Sequence, residues 1–136
     1  MHTEFVVVEG DFANAGKASS DIKKTLKQLN IDNGKIKKIV VAVYEAEVNA
    51  IAHAYGGNIY VDLDSEKISV VIKDKGPGIP DIDLAMQKGY STASPKVREM
   101  GFGAGMGLPN IKNNVDFLDI KTQVGVGTEI TMVVNF

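Results

Sequence analysis

Between Arg98 and Leu108 the chain reads Arg-Glu-Met-Gly-Phe-Gly-Ala-Gly-Met-Gly-Leu, with glycine at 101, 103, 105 and 107. Alternate glycines let a backbone approach a ligand with no Cβ in the way. A helix is predicted just beyond, over Asn110 to Phe117. Its first turn would present unpaired N–H groups and a positive dipole end, which is the chemistry that holds phosphate. An ordinary glycine-rich surface loop is the plainer reading of the same run.

Two upstream groups could work with it. Glu45, Asn49 and His53 fall at i, i+4 and i+8 and share one face of a predicted helix. A carboxylate one turn from a carboxamide suits magnesium, because the amide oxygen can ligate a hard cation that keeps its waters. The carboxylate can then polarise a water or a hydroxyl nucleophile. A hydrogen-bonded polar stripe at a helix border has the same spacing. Glu47 points away from this row and is given no role. The other group is Asp74-Lys75-Gly76-Pro77-Gly78-Ile79, where Asp74 closes the apolar run Ile68 to Ile72. A carboxylate there can accept the proton of an exocyclic amine, and Gly76 and Gly78 allow a flat base near the backbone. A surface turn uses the same residue types.

Two familiar phosphate patterns fail. Gly16-Lys17 and Gly34-Lys35 lack the glycine spacing and the Ser or Thr of a Walker loop. Gly103-x-Gly105 meets Leu108 where a dinucleotide fingerprint needs glycine, and no first βαβ unit precedes it.

The elements that must position these residues follow from periodicity. Thr3 to Glu9 is β-branched and reads as a strand. Ala18, Ile22, Leu26 and Leu29 recur at helical spacing within a helix over Ala15 to Leu29, and a second helix runs from about Lys35 to Tyr55. Asn58 to Asp64 and Lys67 to Asp74 form a hairpin. Lys75 to Pro80 is a loop, Asp81 to Lys88 a short helix, and Gly89 to Met100 a polar stretch without periodicity. Leu118 to Thr122 and Thr128 to Phe136 close the chain as two strands. Strands joined by short turns imply antiparallel pairing, so the expected fold is α+β: a two-layer sandwich, mostly antiparallel, with helices on one face.

The 136 residues are expected to form one domain. A net charge of −2 without a basic run argues against nucleic acid as the main partner. With no cysteine, disulfides and thiolate metal sites are excluded. No apolar run is long enough to span a membrane, and the first residues lack signal-peptide character, so a cytoplasmic protein is expected.

Taken in order, Glu-x-x-x-Asn on a helix, Asp-x-Gly-x-Gly at a strand end and Gly-x-Gly-x-Gly-Leu before a helix resemble one superfamily. It is the ATP-binding fold of gyrase, heat-shock chaperone, histidine kinase and mismatch-repair ATPases (GHKL). The resemblance covers nearly the whole chain. Through Glu45 to His53 and Gly89 to Thr92 the chain is most similar to small bacterial anti-sigma factor serine/threonine kinases.

The resemblance implies roles. Asn49 would ligate Mg²⁺ bridging the phosphates of ATP, and Glu45 would be the base that orients the attacking hydroxyl. Asp74 would bind the adenine amine, with Gly76, Gly78 and Ile79 beside the base and Thr128 supporting it through a water. Gly101, Gly103, Ala104, Gly105, Met106, Gly107 and Leu108 would form an ATP lid. His53, Lys96 and Arg98 are further candidates for phosphate contact. The implied partners are ATP or ADP and a sigma factor, an anti-anti-sigma antagonist or both, and the family allows a homodimer. This glycine run is fuller than the shortened form of many anti-sigma kinases and nearer that of histidine kinases. A nucleotide-gated binding module without kinase activity and a stand-alone histidine-kinase-like ATPase domain are the alternatives. The second is disfavoured because His2 and His53 are the only histidines. Gyrase-like or mismatch-repair function would need a second, transducing domain.

Overall fold

Five strands and three helices are described by a computed structural model for residues 1–53, 56–79, 86 and 107–136, with only the backbone at His53 and Gly107. The strands are β1 (His2–Val7), β2 (Gly57–Leu63), β3 (Lys67–Asp74), β4 (Phe117–Gln123) and β5 (Gly127–Asn135). The helices are α1 (Lys17–Gln28), α2 (Asn33–His53) and α3 (Gly107–Asn114). All strand pairs are antiparallel, in the order β1-β2-β3-β5-β4. The expected α+β sandwich, with the helices on one side of the sheet, is what forms.

Alternation in the strands produces the core. Ile68, Val70 and Ile72 of β3 and Ile130, Met132 and Val134 of β5 turn inward. They meet Ile22 and Leu26 of α1, Ile39 and Val43 of α2 and Ile111 of α3. Burying such a side chain is worth about 1.5–3 kcal/mol, so the inward rows clamp the helices to the sheet. The helix α2 is the spine, packing on α1, on α3 and on β3 and β5.

Several boundaries differ from expectation for local reasons. The helix α2 begins at Asn33, ahead of its predicted start near Lys35, because Asp32 caps it: Asp32 Oδ2 accepts the Lys35 N–H at 3.1 Å. The helix α1 begins at Lys17 because Gly16 precedes it in a left-handed conformation, φ 93°. The helix α3 runs over Gly107–Asn114, three residues ahead of the predicted span. Pro109 is tolerated in that first turn, where its missing N–H would have no helical partner, and Leu108 and Ile111 bury there. The short helix predicted over 81–88 lies outside the described residues, apart from Met86. Among the described residues no helix is long and apolar enough to cross a membrane.

Candidate functional site

The carboxylate of Asp74 stands where β3 ends, opposite Thr128 of β5 in the strand register. Its Oδ1 accepts the N–H of Gly76 at 2.9 Å and that of Thr128 at 3.1 Å. The first bond turns the chain out of the strand, and the second ties it to the neighbouring strand. Both occupy Oδ1, and among the described residues no hydrogen bond reaches Oδ2.

Around this carboxylate the backbones are tightly packed. A Cβ on Gly127 would lie 2.1 Å from the carbonyl oxygen of Asp74, so only glycine fits, and its φ of 153° also favours glycine. A Cβ on Gly78 would lie 2.6 Å from the Gln123 carbonyl oxygen. Gly78, expected to admit a flat base, is thus needed for the contact between the loop after β3 and the β4–β5 hairpin. Gly125 N–H donates to Pro77 O at 2.8 Å across the same contact.

Thr128 is 7% exposed, and its hydroxyl lies 2.9 Å from that of Thr122. Thr122 Oγ1 also accepts the N–H of Ile79 at 2.8 Å. The loop, β4 and β5 therefore meet at one hydroxyl pair. Thr122 was missed in the sequence, although its place six residues before Thr128, across a glycine turn, is the signal that pairs them.

The second group sits on α2. Glu45 is partly buried, and its Oε1 accepts a hydrogen bond from Asn110 Nδ2 of α3 at 3.2 Å. Asn49 follows one turn later, also partly buried. Asn110, likewise missed, fixes the orientation of the Glu45 carboxylate from the helix that opens at Gly107. The α3 N-terminus thus adjoins the carboxylate group, and α2 packs across β3 and β5, the strands of the Asp74 group. Leu108, predicted to contact a cofactor, buries its side chain in the core at 6% exposure, so only its backbone could serve a ligand. Gly101, Gly103, Ala104, Gly105 and Met106, with Lys96 and Arg98, lie outside the described residues, as does the side chain of His53.

Glu47 has a role that the sequence reading did not give it. It is buried, 4% exposed, and its Oε2 accepts the N–H of Ala18 at 3.1 Å. Gly16 caps α1 without a side chain, so a carboxylate from α2 satisfies the donor that a Ser or Asp cap would have taken. Burial pushes the Glu47 carboxyl up from its ordinary value, and the N–H groups of Ala18, Ser19 and Gly16 pull it partly back.

A bare acceptor at a strand end, a positioned carboxylate beside a carboxamide, and a helix opening on glycine form a donor set suited to a nucleotide and a hard cation. Residues 8–134 match the family described as histidine kinase-like ATPase domain. The serine/threonine-protein kinase RsbT of Bacillus subtilis is 29% identical over 129 residues, 92% of this chain and 89% of that protein. An anti-sigma F factor of Bacillus licheniformis is 30% identical over 123 residues, 86% of this chain and 81% of its own. The crystal structure of the RsbU and RsbW domains of a Mycobacterium tuberculosis protein superposes with a TM-score of 0.65 at 16% identity, over 98% of this chain and 32% of that one. At that identity the likeness speaks for the fold alone.

Proposed function

Since the chain belongs to the histidine kinase-like ATPase family, we propose that it is an ATP- and Mg²⁺-dependent serine/threonine protein kinase of the anti-sigma-factor type. It acts in the cytoplasm on a protein partner in transcriptional control, a sigma factor's antagonist being the substrate class. The observation that carries this reading is the Glu45 carboxylate, held by Asn110 one turn ahead of Asn49.

ATP supplies the transferable phosphoryl group, and Mg²⁺ offsets its charge. Asp74 Oδ2 accepts the adenine amine, while Thr128, paired with Thr122, borders the base. Asn49 would hold the cation through its amide oxygen, and the cation would supply charge to offset that of the phosphates. The glycine run up to Gly107 and the first N–H groups of α3 are assigned to the phosphates. Glu45 accepts the proton of the partner's serine or threonine hydroxyl. RsbT is by name a serine/threonine kinase, which favours phosphotransfer over nucleotide-gated sequestration.

The test is incubation with labelled ATP, Mg²⁺ and a cognate antagonist protein. Label is expected on a serine or threonine of the antagonist and is expected to vanish in Glu45→Ala. No transfer, or a Glu45→Ala protein as active as the parent, would overturn the proposal.

A further inference from the structure

On the far side of α2 from Glu45, a cleft of about 310 Å³ opens along the edge of β1. Its polar lining is Glu4, Asp11, Asn14, Lys17 and Glu47, and Ile51 contributes to its apolar wall. Two carboxylates, those of Asp11 and Glu47, therefore line it beside one ammonium, that of Glu4 being paired with His2 Nε2 at 3.4 Å. Asp11 is steadied by Asn14, whose Nδ2 donates to its two carboxylate oxygens at 3.1 and 2.9 Å. Glu47 is the deep group: Oε2 is taken by Ala18 N–H, and Oε1 is buried with no well-formed hydrogen bond among the described residues, the Ser19 and Gly16 N–H groups lying only near the carboxylate. A buried carboxylate oxygen without a donor is costly, and native proteins rarely leave one so.

The edge of β1 adds acceptors. Met1 and Leu63 exchange both backbone hydrogen bonds, at 2.8 and 2.9 Å. Antiparallel alternation then turns the N–H and C=O groups of Glu4 and Val6 away from β2, and both residues line the cleft. Its volume far exceeds that of a single water site.

We propose that this cleft binds an alkylguanidinium or alkylammonium group, with the cation on Glu47 Oε1, Asp11 nearby and the aliphatic stem against Ile51. The outward carbonyls of Glu4 and Val6 accept the remaining N–H donors. Such a ligand satisfies the orphan oxygen and balances the excess of carboxylates. Glu45 and Glu47 are two residues apart on a helix and so face roughly opposite ways, which makes the site separate from the nucleotide residues. The same chemistry could come from a free small amine or from a basic side chain of an extended peptide lying along β1.

Agmatine and a blocked tripeptide with central arginine are titrated into the isotope-labelled full chain, with nuclear magnetic resonance as the readout. Saturable shifts at the Ala18, Glu47 and Ile51 amides are expected with a dissociation constant of about 1 mM, weakened about tenfold in Glu47→Gln. Peptide binding tighter than agmatine assigns the site to a basic side chain, and the reverse assigns it to a free amine. No saturable shift at about 20 mM of either probe, or equal binding when citrulline replaces arginine, overturns the proposal. If Glu47→Gln does not fold, Asp11→Asn takes its place: binding weakened about threefold supports the site, and unchanged binding sinks it.

Discussion

Asn110 Nδ2 lies 3.2 Å from Glu45 Oε1, joining the helix that opens at Gly107 to the helix that carries Asn49. One hydrogen bond thus sets the direction of the proposed base from the element assigned to the phosphates. Removing it should loosen the carboxylate without removing it. Asn110→Ala should lower the phosphotransfer rate about three- to tenfold while the KM for ATP stays nearly constant, whereas Glu45→Ala should cost about 10²–10⁴. Steady-state transfer to the antagonist separates the two, and equal losses would mean that Asn110 does more than orient Glu45.

Asp74 is assigned to the base end alone, so its loss should appear in binding. Asp74→Asn keeps an oxygen for the Gly76 and Thr128 N–H groups but turns a donor toward the amine. ATP affinity should fall about 10- to 100-fold by calorimetry, with a smaller effect on the rate at saturating ATP. Unchanged affinity would remove Asp74 from the nucleotide site.

Two glycines of one hairpin should respond unequally to alanine. At Gly127 the new Cβ would press on the Asp74 carbonyl, and at Gly125 it would meet nothing within 4 Å, although the φ of 81° is still unfavourable. Gly127→Ala should lose about 3 kcal/mol and Gly125→Ala about 1 kcal/mol in urea denaturation. Equal losses would contradict the close approach of β3 and β5.

Glu47 gives a pH signature. Burial holds its carboxyl above the ordinary value of 4.5, so the native chain keeps this proton to higher pH than the unfolded one. Its contribution to stability is fully present below 4.5 and is lost as pH rises through the native pKa. The unfolding free energy of the parent should therefore decline relative to Glu47→Gln as pH rises from 4.5 through the native pKa. A difference that stays flat across that range would show that the carboxyl is not held up.

Much of this was legible in the chain, because period alone distinguishes strands from helices. The row Ile68, Val70, Ile72 announces an inward strand face, and Asp74 at its end announces a rim. Glu45 and Asn49 share a face by arithmetic. What could not be read depends on which surfaces meet. Thr122 matters only once the register places it opposite Thr128, and Asn110 only once α3 lies against α2. Glu47 was set aside because a helical wheel shows that it leaves the Glu45 row. The wheel cannot show that it arrives at the bare start of α1, where Gly16 brings no side chain. The early start of α3 was hidden by Pro109, which reads as a breaker but serves as a first-turn residue.

The place of β3 in the sheet has a kinetic meaning. It is the central strand of five, bonded along its length to β2 and β5. Its amides should open to solvent only with the whole fold, whereas a short helix such as α3 can open locally. The half of the site proposed to recognise the base is therefore held with the whole fold, and the half proposed to handle the phosphates can respond to occupancy. In hydrogen exchange, nucleotide should leave the amides around Asp74 almost unaltered and slow those of α3, so that α3 and not the base pocket carries news of the bound state to a partner.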